Sequence, residues 1–183
     1  MNRLYIFGLG SPYGWDQVGW LAADQLRLTF SGQPAIVVDM LSRPTNLFSH
    51  PITPMDWVIF IDSMMGKARP GTAQRFTTLA LPPAHQKFSS HGIDLNTTIA
   101  LLASLGFSTE KIQIVAVEIP ADTEPSPEQT FRRRQALATQ SLHAEVKSCV
   151  EYWLQFGVYR FSTTHELSFQ QNTHVESPPA GSF

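Results

Sequence analysis

Apolar residues in this chain gather in short unbroken runs instead of alternating with polar ones. Positions 4–7, 35–38, 57–61 and 112–117 are apolar along nearly their whole length. Strands covered on both faces have this pattern, so the four runs predict the central, parallel strands of a sheet. Between them the period changes. Val18, Leu21, Ala22, Leu26 and Phe30 recur at spacings of three and four and predict a helix with Asp16 near its N-terminus. Leu95, Ile99, Leu102 and Leu105 predict a second helix, which Gly106 closes as a C-terminal cap. Ser126-Pro127-Glu128-Gln129 combines an N-cap, a proline at the first helical position and a reciprocal capping residue, so a long last helix runs from there to about Tyr152. Positions 72–78 follow the Pro70-Gly71 turn signal and alternate weakly, as an edge strand does.

Strand, glycine loop and helix in that order open an α/β fold, and about five strands are expected. The pattern covers residues 1–158 as one domain. Residues 159–183 turn polar and repeat nothing of the core, so a disordered or weakly docked tail is expected there. A length of 183 residues with 43% hydrophobic content fits one domain with a sizeable core.

Charge removes one class of function. The net charge is −2, and Arg132, Arg133 and Arg134 form the only cationic run, so the chain offers no field for a nucleic-acid backbone. The single cysteine, Cys149, rules out an internal disulfide and a multi-thiolate zinc cluster, and reads as a buried structural thiol. No apolar run approaches the length of a membrane span, and a cytoplasmic, soluble, monomeric protein is expected.

The chemistry gathers at strand ends. Asp16 follows the glycine loop after the first run, Asp62 follows the third, and His91 sits in the polar turn Ser89-Ser90-His91-Gly92 before the second helix. Chain order puts all three at strand-to-helix transitions, where open α/β sheets place ligands. Two carboxylates and one imidazole are a suitable set for a divalent cation with open coordination positions. Each residue also has a plainer reading: Asp16 as a helix cap, Asp62 as a loop acid, His91 as a hydrogen-bonded turn residue.

Other patterns are weaker. Gly8 and Gly10, with Asp39 closing the second run, form half of a dinucleotide fingerprint. The third glycine falls at position 14 instead of 13, however, and Asp16 puts negative charge where a pyrophosphate would lie. Ser90 beside His91 is not a nucleophile-base pair. His50, His85, His143, His165 and His174 have no ligand spacing and are expected to be solvated or capping residues. Tyr13, Trp15, Met64 and Met65 flank the proposed rim, either as core or as docking surface.

Gly8-Leu9-Gly10-Ser11-Pro12-Tyr13-Gly14-Trp15-Asp16-Gln17-Val18-Gly19-Trp20 resembles the opening motif of the hydrogenase maturation proteases, endopeptidases that trim the large subunit of nickel-iron hydrogenases. Val58-Ile59-Phe60-Ile61-Asp62-Ser63-Met64 followed by Pro70-Gly71-Thr72, and Ser89-Ser90-His91-Gly92, are similar to the family's second acidic strand end and its histidine loop. The resemblance spans about residues 3–150. It implies a three-layer α/β/α sandwich with a mostly parallel twisted sheet, in which Asp16, Asp62 and His91 contact the nickel carried by the precursor of a hydrogenase large subunit. Cleavage would fall near that precursor's C-terminus. Asp39 lies where the family tends to have an acid after strand two, as a supporting residue, and Asp39 or Asp16 would serve as general base. Another divalent metal, resident in the protein, is the alternative to substrate-borne nickel. The family carries an acidic pair where this chain has Trp15-Asp16, which makes Asp16 the second acid and puts the Trp15 ring beside the metal. Two rival readings are a non-catalytic nickel-checkpoint protein and a small nucleotide-binding α/β protein.

Overall fold

The computed structural model describes residues 2–66, 68–78, 92–120 and 127–157, and in them the apolar runs become one five-stranded sheet. The strands are β1 (Leu4–Leu9), β2 (Ile36–Leu41), β3 (Trp57–Met64), β4 (Ala73–Thr77) and β5 (Ile112–Glu118). Their spatial order is β2-β1-β3-β5-β4; all neighbours pair in parallel except β4, which runs antiparallel to β5 at the edge. The helices are α1 (Val18–Thr29), α2 (Gly92–Ser104) and α3 (Glu128–Phe156).

The unbroken apolar runs have a direct cause: helices cover both faces of the sheet. On one face Leu4 and Ile6, Ile59 and Ile61, and Val115 and Val117 meet Val18, Ala22 and Leu26 of α1 and Leu142 and Val146 of α3. On the other, Tyr5, Phe7, Val58, Phe60 and Ile114 meet Leu95, Ile99 and Leu102 of α2. Successive side chains alternate between these two cores, so neither parity can be polar. This is the expected α/β/α sandwich.

Three expectations shift by a few residues. β2 and β3 run on past Asp39 and Asp62, because Asp62, Ser63 and Met64 stay paired with Ala116, Val117 and Glu118 of β5. Both acids therefore lie inside strands near their ends, and not in loops after them. Leu21 and Leu105 are half-exposed instead of core, since α1 buries the Val18, Gly19, Ala22, Ala23 and Leu26 stripe and α2 ends before Leu105. α3 begins at Glu128 with Pro127 as N-cap, one residue later than predicted, and continues to Phe156. Ser126 and the tail at 159–183 lie outside the described residues. Gly106 does close α2, in left-handed conformation (φ +87°), with the Phe107 N–H donating to the Leu102 carbonyl at 3.0 Å.

β4 is held from the side by α3. The Arg75 guanidinium pairs with Glu145 and donates to Ser148, and the Ala73 N–H donates to Ser141 Oγ at 3.2 Å. No helix among the described residues is long and apolar enough to cross a membrane.

Cys149 is buried on α3. Burial pushes its thiol up to about 12, against a smaller opposing pull from Arg75. The thiolate is the reactive form, so almost none is present near neutral pH. In the native protein at pH 8 an aromatic disulfide reagent should leave Cys149 unmodified, and one thiol should react at once in urea. Rapid native-state labelling would contradict the packing described.

Candidate functional site

Three glycines shape the rim where the parallel strands end. Gly8 and Gly19 face one another, and a Cβ on Gly8 would meet Ala23 Cβ at 2.7 Å and overlap the Gly19 carbonyl. A Cβ on Gly19 would overlap the Leu9 carbonyl oxygen and stand 2.9 Å from that of Ile61. Gly10 likewise leaves no room for a side chain against the Asp16 carbonyl. The glycine loop thus works as a packing device that seats α1 on the ends of β1 and β3.

That seating positions the first two acids. Asp16 lies in a 3-10 turn (Gly14–Gln17) that leads into α1 and touches β3, one turn before Gly19. Asp62 directly follows Ile61, the residue whose carbonyl Gly19 covers. A backbone-to-backbone contact therefore brings the Asp16 turn against the strand that carries Asp62. The Asp62 side chain is fully buried, and its Oδ1 accepts the Ser63 N–H at 2.7 Å.

Asp62 occupies the same alternation as Val58, Phe60 and Met64, so its side chain is directed to the α2 side of the sheet. A helix leading into a parallel strand runs antiparallel to it, so α2, which leads into β5, begins at the carboxyl rim. His91 immediately precedes α2 in the chain and lies outside the described residues. Among the described residues no three His, Cys, Asp or Glu side chains form a metal-binding group. The donor chemistry of Asp16 and Asp62, hard carboxylate oxygens, fits a divalent cation that takes its remaining ligands elsewhere.

Asp39 stands apart. It is level with Phe7 on β2, with β1 between it and β3. Strand spacing puts it about 10 Å to the side of Asp62 and two residues lower. Its Oδ1 accepts the Met40 N–H at 2.8 Å and its Oδ2 lies 3.2 Å from His50 Nε2, an ion-pair contact off hydrogen-bond alignment; Arg27 is at 3.8 Å. The His50 ring packs on Phe7 at 5.0 Å and on Tyr5 at 6.2 Å. His50 is therefore a mostly buried partner of Asp39 and not a solvated residue, because the turn after β2 folds back over the sheet face.

Trp15 also departs from expectation. Its ring joins the core between the sheet and α3, 5.1 Å from Phe131 and edge-on to it, and Gln135 Nε2 donates to the Gly14 carbonyl at 2.8 Å. The ring anchors the Asp16 turn to α3 and is not a rim group. Met64 is buried as well, whereas Tyr13 is 77% exposed and available to a partner.

One acid escaped the sequence reading. Glu118 closes the last apolar run as Asp39 and Asp62 close theirs, and that repeated pattern was its signal. It is 3% exposed, and its Oε1 accepts the Gly66 N–H at 2.5 Å.

No family model and no curated protein matches the chain. Its fold does match solved structures. The NiFe hydrogenase maturation protease HybD from Thermococcus kodakarensis superposes with a TM-score of 0.56 at 17% identity, over 80% of this chain and 97% of that one. The hydrogenase maturating endopeptidase HybD from E. coli gives 0.53 at 18% identity, over 80% and 93%. An endopeptidase from Escherichia coli gives 0.55 at 16% identity, over 89% and 99%. At these identities the likeness establishes a shared fold.

Proposed function

We propose that the chain is an endopeptidase that removes a C-terminal extension from the precursor of a nickel-iron hydrogenase large subunit. In this reading Asp16, Asp62 and His91 recognise the nickel that the precursor carries. The observation that supports it is the seating of α1 by Gly19, which brings the Asp16 turn against β3, the strand of Asp62, in a fold shared with two hydrogenase maturation proteases.

The chemistry follows from the donor set. Asp16, Asp62 and His91 would hold the cation, which could supply polarisation of the scissile carbonyl and orientation of water. Asp16 and Asp62 hold the precursor's metal-bearing end at the rim and so bring the extension to the sheet edge. A precursor without nickel lacks that anchor, so insertion and cutting occur in order. The binding-only reading rested on Trp15, and a ring packed on Phe131 no longer favours it.

The test is to mix purified protein with nickel-loaded and nickel-free precursor from the same source and read the precursor mass. The C-terminal peptide should be lost from the loaded form alone. A stable complex with no change in mass would replace the protease by a checkpoint binder.

A further inference from the structure

We propose, resting on the peptidase reading above, that Glu118 is the catalytic carboxylate that takes the proton of the attacking water. Glu118 stands on β5 opposite Met64 of β3, two residues beyond Asp62. Both acids share the alternation of Phe60, Met64, Ile114 and Ala116, so their side chains face the same side of the sheet. From strand spacing and rise their Cα atoms are about 8 Å apart, so the two acids are diagonal neighbours on that face.

The hydrogen bonds distinguish Glu118 from the structural acids. Asp56 is equally buried, yet both its oxygens are occupied: Oδ1 accepts the Arg3 N–H, and Oδ2 accepts the N–H and hydroxyl of Thr53, all at 2.8 Å. Glu118 has one oxygen held by Gly66, while Oε2 is buried with no partner among the described residues. A buried carboxylate oxygen without a donor is costly, and such groups concentrate where an arriving ligand completes them. Of the two acids named earlier as bases, Asp16 is given to the nickel in this reading, and Asp39, with Oδ1 on the Met40 N–H and Oδ2 in an ion-pair contact with His50, lies two strands from β3.

Glu118 is also rigidly placed. Its N–H donates to the Thr72 carbonyl at 3.0 Å and its own carbonyl accepts the Gly71 N–H at 2.8 Å. Gly66 keeps one side of the carboxylate clear, since a Cβ there would stand 3.1 Å from Oε2.

The step balances without a further reagent. Water oxygen bonds to the scissile carbonyl carbon as its proton passes to Oε2. When the carbon–nitrogen bond breaks, Glu118 returns that proton to the leaving amine and is regenerated as the carboxylate.

The test compares wild type, Glu118→Gln and Glu118→Ala on nickel-loaded precursor, with precursor affinity and thermal melting measured in parallel. Glutamine still accepts the Gly66 N–H but takes no proton, so turnover should fall about 10²–10⁴-fold with affinity and melting unchanged. Added formate should restore part of the turnover of Glu118→Ala and none of Glu118→Gln. Turnover of Glu118→Gln near the wild-type rate overturns the assignment, as does a loss that tracks lost affinity or melting. If wild type itself leaves the loaded precursor intact, the peptidase reading fails at that point, and Glu118 falls with it.

Discussion

On the proposed function, Asp62→Asn and Asp16→Asn should each abolish removal of the C-terminal peptide while the protein stays folded. Asparagine matches aspartate in shape, and its Oδ1 can still accept the Ser63 N–H that holds Asp62. The fold should therefore change by no more than about 1–3 kcal/mol, the range for a disturbed buried polar group. What is lost is charge. A neutral amide is a poor ligand for a divalent cation, and even groups one layer removed from a metal contribute about 10–100-fold, so a direct contact should cost at least about 100-fold in cleavage. Precursor mass at a fixed time reports the activity, and a urea midpoint reports the fold. Two folded variants that process precursor at the wild-type rate would remove both residues from the site.

Gly19→Ala should be among the most damaging small substitutions at the described residues. The added methyl would meet the Leu9 and Ile61 carbonyls, main-chain atoms of two central strands, and neither can withdraw without breaking the sheet. Overpacking against side chains costs about 1–3 kcal/mol, and against fixed backbone the cost should exceed that, a large share of the roughly 5–15 kcal/mol that holds a domain. Gly32 provides the contrast: nothing lies near its Cβ position and its φ is not positive, so Gly32→Ala should leave the urea midpoint in place. A Gly19→Ala protein that melts like wild type would mean that α1 is not seated as described.

The same contact shows what could be read from the sequence alone. Unbroken apolar runs revealed parallel strands because both sheet faces are covered, and a glycine after a helical stripe revealed the end of α2. Gly8, Gly10 and Gly19 were visible as punctuation, but their purpose depends on which atoms a helix meets in space, and spacing does not encode that. Asp39 and Asp62 read as strand ends because the apolar run stops there, whereas hydrogen bonding to β1 and β5 carries the strands further. Trp15 was legible as an aromatic near the rim; only Phe131, more than a hundred positions later, determines which way its ring turns. Glu118 drew no reading from the sequence, because its contact with Gly66 joins positions 52 apart.

The tether between Gln135 and Gly14 spans 121 positions. At ribosomal rates of about 5–20 residues per second, roughly 6–24 s separate synthesis of the Asp16 turn from arrival of the residue that anchors it. An emerging chain thus carries its first acid long before that acid has a fixed address, which it gains only when α3 closes over the first turn.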